Sequence, residues 1–417
     1  MNRMSSEPLD TQPFGAPHRV LLALCMAIMV IDGFDTFVLG KIAPLIAAHF
    51  DVPASALSRV FFMQQVGLAI GAFIATPLAD RYGRQRMLAV ATAGFALTSL
   101  CIPFAPSLQW VGMARAVAGL FLSGALPMVI ALLAESIPQA KRATCISIAM
   151  GAYSGGSASG GIVAAWVVGS AGWQSAFFIG GALPLALLPL LIWRMPESPQ
   201  FLARFNAGSI GTPQATPLLH SLLDGRRWLT TVLWAMTFLS MGSIAFLGSW
   251  LPTFFQVWQG VPVQAFAVLT LVAFSGGLVG TLTSGWLLDR YPALLLLRIA
   301  YGGLAISLCL LGQIPFAAWF FVGILTAWNL CQSGGQALIN TFLSRVYPVE
   351  VRSMGIGWAG GAGRIGGIVL PSLGGLMIEG DLGLGKVMSL VALAPATVFL
   401  LTFLLPTDAG GQSARRA

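Results

Sequence analysis

Asp32 and Asp35 stand three residues apart in the stretch VIDGFDTFVLGK (residues 30–41), and the apolar run LLALCMAIMVI leads straight into them. In a helix that spacing puts both carboxyl groups on one face. An ionised carboxylate in a bilayer interior costs at least ~2.5 kcal/mol, so such residues mark ion or substrate pathways. Two neighbouring carboxylates in a low-dielectric cavity cannot both be ionised cheaply. The pair is therefore suited to take up a proton on one side of a membrane and release it on the other. Cationic partners are scarce: of 22 Lys and Arg, Arg115 and Arg364 are the two well inside apolar stretches. A guanidinium grips a carboxylate bidentately. One of these two should hold the carboxylate of a substrate, Arg364 by preference, which leaves Arg115 to couple to the aspartates. At ~1.5 Å per residue, Asp35 and Arg115 come to similar depths in a core about 30 Å thick.

Other candidate groups are polar or aromatic. His18, His49 and His220 fall at the ends of apolar stretches or between them, so the interior lacks the commonest neutral-pH proton relay. The five cysteines lie in apolar stretches without CxxC spacing. They read as packing residues, and neither a metal nor another cofactor is expected. Asn329, Gln332 or Ser333, Gln336 and Asn340 recur at steps of three and four. Their side chains suit a ring hydroxyl or second oxygen of a substrate, or equally bonds between helices. Phe34, Trp250 and Trp358 are candidates to stack on an aromatic ring. Glu135 is expected to pair with Arg81 and Arg84 at a gate. No intramembrane His pair, GxSxG or cofactor motif points to an enzyme.

Such side chains need a scaffold that crosses a membrane repeatedly. The 417 residues are 57% hydrophobic and 9% charged, against about 25% charged in soluble domains. Net charge is +8, but no basic run exceeds two residues, so the partner is a lipid bilayer and not nucleic acid. A membrane-spanning helix needs about 20 apolar residues. Twelve stretches qualify: 20–47, 58–79, 86–104, 110–134, 142–168, 173–193, 229–254, 264–287, 293–312, 315–341, 353–377 and 384–405. The polar segment 1–19 is not a cleavable leader. The polar stretch 194–228 divides the rest into bundles over 20–193 and 229–405, with a tail at 406–417. Placing both termini in the cytoplasm puts seventeen Lys and Arg on that side and three (Lys41, Arg59, Lys386) on the other, which satisfies the positive-inside rule. LADRYGRQR with Asp80-Arg81 and LLDRYPALL with Asp289-Arg290 match at an offset of 209. IPQAKR and YPVEVR match at 210, Pro138 with Pro348 and Arg142 with Arg352. A duplicated six-helix unit is the mark of many secondary transporters, with the substrate site near the midplane between repeats.

PLADRYGRQR resembles the loop motif of the major facilitator superfamily. The stretches DGFDTFVLGKIAP, RAVAGLFLSGALPMVIALLAE, SWLPTFF and YPVEVRSMGIGWAGGAGRIGG look like the aromatic acid:proton symporter family within it. The resemblance implies an all-α integral membrane protein, with twelve transmembrane helices in two pseudo-symmetric six-helix bundles. It implies import of a benzoate- or hydroxybenzoate-class acid with a proton, by alternating access, in a bacterial-type inner membrane and as a monomer. Spans 1 and 4 would line the central cavity. Small residues at spacing four (Gly67 and Gly71; Gly151, Gly155 and Ser159; Gly276, Gly280 and Ser284; Gly363 and Gly367) would smooth the contacts of span 2 with 11 and span 5 with 8. Asp80, Arg81, Gly83 and Arg84 would form a cytoplasmic gate with Glu135, repeated by Asp289 and Arg290, and Asp80 would face the N-terminus of span 11. This chain departs from the family at Thr76, where a glycine usually opens the loop motif, and at Lys41, where a neutral residue is usual. The alternative reading keeps the fold but carries a non-aromatic organic anion, such as a muconate-like dicarboxylate, or works in efflux.

Overall fold

The computed structural model describes residues 14–206, 227–316, 319–347 and 352–405. The tails and most of the central polar stretch lie outside the described residues, as does the side chain of Asp289. The described residues form helices and no strand. In hydrocarbon every backbone N–H and C=O must find a partner within its own segment, and a helix achieves that. Among the described residues, ten helices are long and apolar enough to cross a membrane. They are Ala16–His49 (span 1), Ala54–Tyr82 (span 2), Arg84–Phe104 (span 3), Leu108–Ser136 (span 4), Gln174–Arg194 (span 6), Arg227–Gln259 (span 7), Val263–Leu288 (span 8), Ala293–Gln313 (span 9), Met354–Glu379 (span 11) and Leu384–Leu401 (span 12).

Two further long helices complete the twelve. Span 5 runs Gln139–Ile162, passes through a π-helical turn at Val163–Val167 and ends at Val168–Ala171. Span 10 is Phe321–Val346. Both are rich in Gly, Ser and amide side chains, which lowers their hydropathy. Span 4 breaks between Leu122 and Ala125. Pro127 has no N–H to offer the Ser123 carbonyl, and Gly124 packs against Ala75 and Met128. The polar stretch after span 6 contains a short helix, Pro199–Asn206, with Ser198 capping it by accepting from the Phe201 N–H at 3.2 Å. A serine followed by proline at the first helical position is a start signal, and PESPQ carries it.

The described residues group into two compact units, and the grouping departs from the six-and-six division of the sequence. One holds 14–38, 66–160 and 170–206; the other holds 39–65, 161–169 and the described residues from 227 onward. In the first unit, Leu21, Met29, Leu88, Val129, Leu132 and Leu133 belong to one buried apolar cluster. Spans 1 and 5 cross backbone to backbone there. A Cβ on Gly33 would strike the Tyr153 carbonyl, and one on Gly156 the Val30 carbonyl. That close crossing fixes the segment carrying Asp32 and Asp35. Gly67 and Gly71 seat on span 4 at Ala116 and Leu120, and in the second unit Gly276 and Gly280 seat on span 10 at Thr326 and Leu330. These glycines of spans 2 and 8 thus seat the helix pairs 2·4 and 8·10, while Gly367 of span 11 meets Gln65 of span 2 and Gly161 of span 5 meets Ala267 of span 8, the pairings the family resemblance implied. Within the second unit, the C-terminal part of span 1 approaches span 7 at Gly40 and Gly248. Gln65 of span 2 donates to the Gly367 carbonyl at 2.9 Å.

Candidate functional site

In the first unit, Arg115 and Asp35 form a buried ion pair. The Arg115 NH1 group donates to Asp35 Oδ1 at 2.7 Å, and NH2 donates to the Asp35 backbone carbonyl at 2.9 Å. Each side chain is 1% exposed, and the guanidinium lies 5.8 Å from the Phe177 ring centroid. Stripping both ions of water costs several kcal/mol each, offset only by good mutual geometry and further hydrogen bonds. Here the backbone carbonyl supplies one of those bonds. Asp35 Oδ2 is buried without a hydrogen-bond partner. Asp32 is also buried and accepts from Thr36 Oγ1 at 3.3 Å. It lines a small pocket with Ile28 and Ile31 of its own helix, Thr92 and Phe95 of span 3, and Phe121 and Leu122 of span 4. Arg115, counted above among substrate ligands, is therefore committed to Asp35 in this structure. Phe34, expected to stack on a ligand, packs beside Gly180 with 5% of its surface exposed.

In the second unit, span 11 carries Arg364 on a face cleared by glycine. A Cβ added at Gly357, Gly360 or Gly361, which are seven, four and three residues before it, would meet no atom within 4 Å. The next-door positions seat the helix on span 7: Gly363 against Thr237 and Met241, Gly366 against Phe238. Arg364 thus lies at the depth of Ser240. Gln336 of span 10 reaches the same depth, since Ser240 Oγ donates to its Oε1 at 2.7 Å and also bonds the Tyr301 hydroxyl. Gln336 Nε2 donates to Asn340 at 3.1 Å. Asn329 and Ser333 turn away toward Gly277 of span 8. Trp358 is 47% exposed and stacks on Trp234, with centroids 5.6 Å apart and planes at 20°. Trp250 is fully buried, its Nε1 donating to the Pro371 carbonyl at 2.7 Å. It is a packing residue. Gln332 is buried as well. Trp234, Ser240 and Tyr301 carry no mark in the sequence, because nothing in their spacing separates them from ordinary core.

The loop motif is held by its own half. Arg84 pairs with Glu135, as expected, and more loosely with Asp80 at 3.6 Å. Arg81 is exposed, its guanidinium 5.4 Å from the Tyr82 ring centroid. The unexpected member is Glu197, from the stretch after span 6. Its Oε1 accepts from the backbone N–H groups of Arg84 and Gln85 at 2.7 and 3.1 Å. It supplies the N-terminal cap that span 3 otherwise lacks, where Gly83 turns the chain at φ 100°. A carboxylate there is favoured by both the free N–H groups and the helix dipole. Ser198 in turn donates to Glu135. Replacing Glu197 by alanine strips the cap and is expected to cost about 1–3 kcal/mol. A thermal unfolding midpoint in detergent equal to that of the parent would contradict this. The second half is built otherwise. Arg290 lies 4.1 Å from the Trp286 ring centroid, and Arg345, 210 residues after Glu135, donates to the Leu288 carbonyl at 3.3 Å.

Twelve long helices among the described residues, a charged loop motif after span 2 and ionisable side chains inside the spans define a polytopic transporter. Residues 25–371 match the family model of the Major Facilitator Superfamily, and the chain belongs to that superfamily. It is a multi-pass membrane transporter and not an enzyme. It is similar to the gallate transporter of Pseudomonas putida, 34% identical with 95% of this chain and 93% of the relative covered. It also matches the 3-(3-hydroxy-phenyl)propionate transporter of Escherichia coli K12 at 32%, with 92% and 93% covered. The 4-hydroxybenzoate transporter PcaK of Pseudomonas aeruginosa matches at 27%, with 96% of each chain covered. Among solved structures, a D-xylose-proton symporter superposes with a TM-score of 0.78 at 16% identity, covering 95% of this chain and all of the other.

Proposed function

We propose that this protein imports an aromatic carboxylate of the benzoate or hydroxybenzoate class together with a proton, by alternating access. The observation that carries the reading is Arg364, a cation on a glycine-cleared face of the same helix as Trp358, which stacks on Trp234. A guanidinium binds the carboxylate in two parallel hydrogen bonds, and the indole pair offers a flat apolar surface to a ring. The relatives with the same span of chain are named for aromatic acids, which agrees with that chemistry. The proton binds at the Asp32 and Asp35 site, where Asp35 keeps one unpaired oxygen. Protonation there and anion binding at Arg364 together bring little net charge into the membrane, so the loaded protein can change access at low electrostatic cost. The more alkaline cytoplasm then draws off the proton. The charge pattern supports cytoplasmic termini in a bacterial inner membrane, with the loop around Asp80, Arg84 and Glu135 as the cytoplasmic gate.

Uptake into proteoliposomes tests the reading. With an inside-alkaline gradient, we expect accumulation of at least one of benzoate, 4-hydroxybenzoate, protocatechuate and gallate, abolished by a protonophore. A dicarboxylate and a sugar should not accumulate. Accumulation of the dicarboxylate alone, or of no aromatic acid by correctly inserted protein, would overturn it.

A further inference from the structure

Span 10 holds two polar side chains that the scheme so far leaves idle. Gln332 is 5% exposed, and neither its amide nitrogen nor its amide oxygen has a hydrogen-bond partner. One turn earlier on the same face, the Trp328 Nε1 atom is buried and likewise without a partner. Each buried polar atom left unpaired costs about as much as a lost hydrogen bond, and native interiors hold few of them. Serine and threonine hydroxyls inside a helix can bond back to their own backbone. The amide of Gln332 does not do so here. The face continues to Gln336, which bonds Ser240 at the depth of Arg364. From that depth, a rise of ~1.5 Å per residue puts Gln332 about 6 Å and Trp328 about 12 Å farther toward the start of span 10.

We propose that Trp328 and Gln332 form a hydrogen-bonding subsite for a hydroxyl group on the ring of a substrate whose carboxylate is held at Arg364. The proposal rests on the aromatic-acid reading above and narrows it to ring-hydroxylated acids. The chemistry selects the ligand group. The indole nitrogen only donates, whereas the amide both donates and accepts. A phenolic hydroxyl, which accepts and donates, satisfies both residues. A second carboxylate could only accept and would bring a charge that neither residue neutralises. An unsubstituted ring would leave all three polar atoms unpaired. The offset along the helix suits a molecule anchored at its carboxylate with the hydroxyl across the ring.

The test is competition in proteoliposomes made with the full chain. Uptake of labelled 4-hydroxybenzoate is inhibited by unlabelled 4-hydroxybenzoate, gallate or benzoate, in the parent, Gln332→Leu and Trp328→Phe. The parent should prefer a hydroxylated acid over benzoate by about tenfold or more. Gln332→Leu should bring that ratio near unity by weakening the hydroxylated acid alone, and Trp328→Phe should reduce it by a smaller factor. If Gln332→Leu fails to insert, Gln332→Asn and Trp328→Phe carry the test, since each shortens or deletes one partner with little change in bulk. A parent that treats benzoate and the hydroxylated acids alike, or variants that transport with an unchanged ratio, would overturn the proposal while leaving the aromatic-acid reading intact. Failure of the parent to take up any aromatic acid overturns both.

Discussion

Asp35→Asn is expected to abolish accumulation driven by a pH gradient, while exchange of labelled for unlabelled substrate across the same membrane persists. Asparagine keeps an oxygen able to accept the Arg115 hydrogen bond, 2.7 Å long in the native protein, but it cannot carry a proton. At a gradient of one pH unit, accumulation ratios should fall from as much as about tenfold to about one, since the free energy of one proton moving down that gradient is ~1.4 kcal/mol. The converse change separates coupling from architecture. Arg115→Ala leaves the Asp35 carboxylate buried without its cation, which costs ~3–5 kcal/mol. It should lower the thermal midpoint far more than Asp35→Asn does. Full gradient-driven accumulation by Asp35→Asn would remove the carboxylate from the mechanism and leave the pair as a structural tie. Asp32→Asn, at the other carboxyl of the proposed proton site, which accepts from Thr36 and lines a small pocket, should likewise abolish accumulation while the protein still inserts.

The second large effect is at Arg364. Arg364→Ala should cut uptake of a carboxylate by about a hundredfold or more, equivalent to ~2.7 kcal/mol. That is the scale of a lost charge-assisted, bidentate contact. Arg364→Lys keeps the charge but loses the planar fork and should recover only part of the activity. The glycines of the helix seat it on span 7, so the variant should still insert. The readout that isolates binding is thermal stabilisation by substrate, measured against each variant's own unliganded midpoint: it should vanish in Arg364→Ala. Retained stabilisation by 4-hydroxybenzoate in Arg364→Ala would place the anion elsewhere, with Lys41 the first position to examine.

Much of the architecture was legible in the chain because membrane physics makes it so. A span must be helical, about 20 residues long and apolar, so the twelve stretches are found from composition, most within a few residues of their observed ends. Span 10 is the largest miss, beginning at Phe321 and not near 315. The turn-rich sequence after span 9 is apolar enough to pass for helix. The Asp35–Arg115 pair was legible for a related reason: charges inside a bilayer are few, so partners are found by elimination and depth. Glu197 was not, because a carboxylate in a polar stretch carries no mark of the helix N-terminus that it will cap from over a hundred residues away.

The sequence alone therefore determined the class of molecule, the number of spans and the identity of the buried charges. Each follows from the cost of putting polar groups in hydrocarbon, which composition and spacing already express. Only the tertiary structure decided which side of each helix meets which neighbour. It sent the small-residue stripes of spans 2 and 8 to spans 4 and 10, buried Phe34 and Trp250 as packing, and left Gln332 and Trp328 unpaired. Those outcomes depend on helix rotation and on backbone approach across glycines. Many helix faces of similar composition could satisfy them, and packing selects one.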